Sequence, residues 1–244
     1  MACFSEDAKK ILTDGDKAEL HEGLEKNYTD LLKERADFVE YGKPEDLSDR
    51  RRAKLNCDLL KQVLVHRAEQ LMTGTGAMLT QKNLYGLALI VRGHIETLAV
   101  LGYFTRRLDS LTKDNITFEQ FEQDIANGLL GAKHDLFDKA GAPVNILTCV
   151  EHSDKYLDAE LFQEKKEMVQ DLYGWLSEFA HPNFCSNKSA YSLDKNTGRM
   201  MLRKEQEIAS DHFQMIITLQ ISADFFNWLL TKFSERLKAA IPDE

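Results

Sequence analysis

Tyr173, Ser177 and His181 recur at intervals of four residues, a spacing that lines three polar side chains along one face of a helix. A second step of four, Arg92 to Glu96, lies inside the most apolar stretch of the chain, with Tyr85 and Tyr103 seven residues outside it on either side. Charges on a mostly buried helix must find partners or open onto water, because an unpaired buried charge is costly. Two outcomes are open. Either these groups form a hydrogen-bonded network that fixes helix register, or Arg92, Glu96 and His181 line one pocket with Tyr173 and Ser177 as binding residues. In such a pocket Arg92 would hold a phosphate or carboxylate and His181 would move a proton.

Glu178 and His181 form a Glu-x-x-His step, the unit that di-iron helical bundles use twice. No other histidine here has Glu three residues before it, so no metal site is expected, and no cofactor. HExxH, P-loop, GxGxxG and GxSxG motifs are missing from the sequence, which takes support from the hydrolases and nucleotide-binding folds built on them. Residues 185–204 hold Lys188, Lys195, Arg199, Arg203 and Lys204 against Asp194, a local balance of +4 in a chain of −9. With Tyr191 among these charges, Lys195, Arg199 and Arg203 are candidate contacts for RNA or an acidic partner. The alternative for that segment is a solvated turn.

The 244 residues carry 40 acidic and 31 basic side chains, a balance that argues against a general nucleic-acid-coating protein. Thirteen glycines and four prolines are too few to punctuate a sandwich or barrel of many short strands. Cys3, Cys57, Cys149 and Cys185 lie far apart without a CxxC pair, which fits a reduced, cytoplasmic chain. The first residues show no basic region followed by an apolar stretch, so no signal peptide is expected. Arg92, His94 and Glu96 interrupt the apolar segment 84–104 and count against a membrane span.

The elements that must position these residues are helices. Apolar periodicity predicts helices over 18–39, from Pro44 to about Thr73 with Gly74 and Gly76 as the stop, and over 81–109. Further helices are expected over 117–130, from Gly141-Ala142-Pro143 through Tyr156, over 161–180 ended by His181-Pro182, and over 205–240. The stretch 81–109 is apolar almost all round and belongs in the middle of a bundle. Residues 189–203 break the pattern and read as two short strands around a turn at 194–198. The expectation is a single all-α domain, a multi-helix bundle with one small hairpin, made of an N-terminal helical extension over 1–42 and a core over 43–240.

With Arg92-x-x-x-Glu96 in an apolar helix, followed by Tyr173, Ser177 and His181, the chain resembles uncharacterised bacterial members of the HEPN-like superfamily over about residues 50–235. The resemblance implies an all-α bundle, often dimeric, from a superfamily of RNA-cleaving toxins and defence proteins with many non-catalytic members. Its nucleases carry Arg, then four to six intervening residues, then His at one helix end. Here Leu176, Trp175 and Gly174 stand five to seven before His181, and neither Arg107 nor Arg199 has a following His at the right distance. The chain therefore lacks the standard catalytic motif. The function expected is binding of RNA, a nucleotide or a protein partner in bacterial defence or stress, without a membrane and as a homodimer. A ribonuclease using His181 and Arg92 from different helices is one alternative, and a non-catalytic dimeric assembly module is the other.

Overall fold

The computed structural model describes residues 2–40, 47–132, 134, 136, 141–182, 190–202 and 207–242. It is all-α with one small hairpin, as the sparse punctuation requires. The helices are α1 Glu6–Asp14, α2 Ala18–Lys33, α3 Asp49–Thr80, α4 Leu84–Thr112, α5 Phe118–Leu130, α6 Ile146–Leu157, α7 Met168–Ala180 and α8 Ser210–Ala240, and the strands are β1 Tyr191–Asp194 and β2 Arg199–Leu202.

Local chemistry sets most boundaries. Ser5 caps α1, Ser48 accepts the Arg51 N–H at the start of α3, and Thr117 with Gln120 makes a reciprocal capping box on α5. The expected start at Pro44 lies outside the described residues. The expected stop of α3 at Gly74 and Gly76 is wrong: the helix runs on to Thr80. Those glycines are packing positions. A Cβ on Gly76 would come within 3.0 Å of the Phe4 ring, and one on Gly74 within 3.2 Å of Ile90 Cδ1. The stop after Thr80 comes instead from Lys82, at φ 54°, beyond which Asn83 donates its N–H to the Met78 carbonyl and its side chain accepts the Gly86 N–H of α4.

Three other boundaries move. α2 stops at Lys33, and Phe38, read as part of its apolar face, is 73% exposed. Residues beyond it are tied down by Gln62, which accepts the Ala36 N–H and donates to the Glu34 carbonyl. α6 starts at Ile146 on an Asn145 cap, three residues after Pro143. α7 starts at Met168, not near 161, because a π-helical turn over Asp158–Phe162 ends at Gln163 in the left-handed region. The Asp154 carboxylate then accepts the Val169 and Gln170 N–H groups at 2.7 and 2.9 Å, capping α7 from another helix.

The chain divides into two compact units. The first holds Met1–Asp30, Ala68–Ile95 and Asp171–Asp224, and the second Leu31–Arg67, Glu96–Gln170 and Phe225–Glu244. In the first, Leu12, Leu24, Tyr28, Leu87, Val91 and Leu219 are fully buried, and in the second Phe104, Phe121, Ile125, Phe226 and Phe233 are. α4 is long and apolar enough to cross a membrane by length and composition, but 61% of its most apolar stretch is buried inside the protein, as befits a core helix. Leu89, expected in the core, is 55% exposed. In the second unit, a Cβ on Gly102 of α4 would lie 3.0 Å from Ser153 Cα of α6, so a bare backbone lets those two helices approach closely.

Candidate functional site

The structure brings Arg92 onto Tyr173, and both lie in the first unit. The Arg92 guanidinium of α4 donates to the Tyr173 hydroxyl of α7 at 2.6 Å, and its Cζ lies 4.7 Å from the centroid of the same ring. Hydrogen bond and cation–π contact together fasten a cation to an aromatic side chain. Both residues are half-buried. Glu96 stands one helical turn beyond Arg92 on α4 and falls in the second unit.

Ser177 turns its hydroxyl onto its own helix, donating to the Tyr173 carbonyl at 2.7 Å. His181 directly follows the last residue of α7, is exposed, and donates its backbone N–H to the Ser177 carbonyl at 3.1 Å. Eight residues separate it from Tyr173, about 12 Å of rise, so His181 sits at the helix end while the Arg92–Tyr173 contact lies two turns back. Clefts of ≈ 330 Å³ beside Thr73 and Thr80 and of ≈ 520 Å³ beside Lys54 and Lys61 take none of their lining from these residues. Among the described residues no group of three or more His, Cys, Asp or Glu side chains is placed to hold a metal.

The hairpin was expected over 189–203, and it forms. Asp194 builds its turn: one carboxylate oxygen accepts the Asn196 N–H at 2.9 Å, the other the Thr197 hydroxyl at 2.6 Å, and its carbonyl accepts the Gly198 N–H at 2.8 Å. The Thr197 hydroxyl and the Asn196 N–H hold the Asp194 carboxyl below the usual range. Gly198 takes φ 66°, a left-handed conformation that glycine adopts without strain. Lys195 and Arg199 are both exposed, and Arg199 stands opposite Asp194 in the register. Arg203 lies outside the described residues.

Reading charges alone missed the hairpin's other property. The register pairs Tyr191 with Leu202 and Leu193 with Met200, and directly opposed residues of an antiparallel pair share a face. One face is therefore wholly apolar, at 44, 58, 57 and 61% exposure for Tyr191, Leu202, Leu193 and Met200. The other carries Ser192, Met201, Asp194 and Arg199. The signal was present in the alternation Tyr191-x-Leu193 and Met200-x-Leu202.

Buried and half-buried polar groups supply further chemistry. In the first unit His94 is 0% exposed, with Nδ1 2.7 Å from the Ser222 hydroxyl, and burial lowers its pKa to about 4. In the second, burial and then the Arg106 guanidinium, 2.9 Å from Nδ1, bring His152 down to about 4. Burial pushes the Asp154 carboxyl up to about 6, against the two N–H bonds that favour its charged form. Comparison with known proteins finds no family model, curated protein or solved structure that matches the chain.

Proposed function

We propose that the chain is a non-catalytic binding protein that docks a protein partner through the apolar face of its hairpin. The observation that carries this is the face itself: four large apolar side chains, each between 44 and 61% exposed, side by side on one sheet surface. Contiguous apolar surface of this kind marks interaction sites. Three of the four are Leu or Met, whereas single-stranded RNA is gripped by stacking on aromatic rings. Adaptable Leu and Met side chains suit a protein surface better.

The HEPN-like resemblance fits this reading through the superfamily's non-catalytic members. A ribonuclease would need Arg92 and His181 at one phosphate, and the guanidinium is engaged by Tyr173 while His181 ends the helix. A reducing, cytoplasmic setting suits the unpaired, buried Cys3, Cys57 and Cys149.

The test is photo-crosslinking from a benzophenone side chain at position 191, which keeps an aromatic ring there. We expect discrete protein adducts that disappear in Leu193→Glu/Met200→Glu, with helical circular dichroism unchanged. Adducts to RNA, or binding of a uridine oligonucleotide that Lys195→Ala/Arg199→Ala abolishes and the apolar variant retains, would overturn it.

A further inference from the structure

Arg106 of α4 holds a positive charge that no carboxylate answers among the described residues. One turn before it, the bare backbone of Gly102 lets α4 approach α6 closely, so that a Cβ there would lie 3.0 Å from Ser153 Cα. His152, the residue before Ser153, is thereby brought against Arg106, with Nη1 2.9 Å from Nδ1. The buried Tyr103 ring backs the imidazole at a centroid distance of 5.1 Å and a tilt of 40°. All of these residues belong to the second unit, and Arg106 and His152 are both half-buried.

The remaining charges around the imidazole are already matched. Arg107 pairs with Asp124, and Lys155 with Glu151. Three cations thus meet two carboxylates, and the guanidinium of Arg106 is the one left over. A guanidinium can only donate, so Nδ1 must accept, and the imidazole is neutral with its proton on Nε2. That contact uses one of the five N–H donors of Arg106.

We infer that Arg106 and His152 form a binding site for a dianionic tetrahedral oxyanion, a phosphate group either free or as a monoester. The planar fork of donors matches phosphate oxygens. When the anion arrives, Nδ1 takes a proton from solvent, the Arg106–Nδ1 bond gives way, and both groups donate to the anion. Guanidinium and imidazolium together then balance its two charges. Without the anion a protonated Nδ1 would face the guanidinium donor to donor, and burial and Arg106 hold the imidazole at about 4. Anion binding and proton uptake are therefore coupled, each strengthening the other. The site stands independently of the hairpin's docking role.

Nuclear magnetic resonance of the full chain tests this through the His152 imidazole, assigned by its loss in His152→Gln. Sulfate is the first probe because it stays dianionic throughout, whereas a phosphomonoester itself takes up a proton at about pH 6. At about 20 mM, sulfate is expected to raise the His152 pKa by about two units, and sulfate affinity to rise about tenfold between pH 7 and 5. Arg106→Gln should lose the sulfate effect, and His152→Gln should bind with an affinity that no longer follows pH, with circular dichroism confirming the fold of both. Inorganic phosphate and phenyl phosphate should compete with sulfate, and the tighter of the two names the source of the phosphate group.

An imidazole titration that sulfate leaves unchanged, or that chloride at equal ionic strength moves as far, overturns the inference. So does an Arg106→Gln variant that binds like wild type, or a His152→Gln variant whose affinity still rises in acid.

Discussion

Arg92 and Tyr173 show what the polar stripe does at the scale of single residues. A guanidinium that donates to a phenol at 2.6 Å and lies over its ring at 4.7 Å is positioned by that ring, and the ring by it. Tyr173→Phe keeps the stacking and drops the hydrogen bond, for an expected loss of about 1 kcal/mol. Arg92→Ala drops both, for about 1–2 kcal/mol. A double-mutant cycle by urea unfolding should return a coupling energy of about 1 kcal/mol between the two positions. If the pair is a fastener of α4 to α7, neither substitution changes what the hairpin captures. Loss of capture on Arg92→Ala at full stability would instead place Arg92 in a binding site.

Among the elements, Asp154 does for α7 what a local cap does for α1 or α5. Its carboxylate takes two of the N–H groups that the first turn leaves over, and it is only 3% exposed. Removing it in Asp154→Ala should cost about 1–2 kcal/mol, read as a lower urea midpoint at neutral pH. The folded pKa, about 6, lies above the ordinary 3.8. The pH-dependent part of its contribution, added to that of the cap bonds, is therefore complete below about 4 and is lost as pH rises through 6. Asp154→Asn, neutral at every pH, should remove that decline while keeping one accepted N–H bond.

Caps of this sort also explain how far the sequence could be read. α4 and α5 are legible within about three residues because apolar period and local caps coincide there. The start of α7 departs from the sequence expectation because its cap lies on another helix, and the end of α3 because its glycines serve contacts with Phe4 and Ile90. Spacing of four places side chains on one face of their own helix, which is how the Tyr173 stripe was visible. It cannot say which face of which helix comes opposite. From spacing alone, Tyr173 is no better a partner for Arg92 than His181 is. The burial of His94 against Ser222, 128 residues on, had no local trace either.

For the molecule as a whole, acid is the condition most directly tied to the buried His94 and the half-buried His152. His94 and His152 both have folded pKa values near 4, below the ordinary 6.5. A base whose folded pKa is depressed contributes stability that is complete above 6.5 and is lost as pH falls toward 4. Asp154 runs the other way over part of that range, gaining stability as pH falls from about 6. Two histidines outweigh one carboxylate, so global stability should drop between pH 6.5 and 4. His94 is fully buried, and its shift alone corresponds to on the order of 3 kcal/mol. His94→Gln can still bond the Ser222 hydroxyl without titrating. Its urea midpoint at neutral pH should lie below that of wild type, because a core side chain has been exchanged, yet it should fall less steeply as pH drops from 6.5. A His94→Gln curve running parallel to wild type through that window would mean that the imidazole is protonated inside the fold without penalty, and that acid sensitivity arises elsewhere.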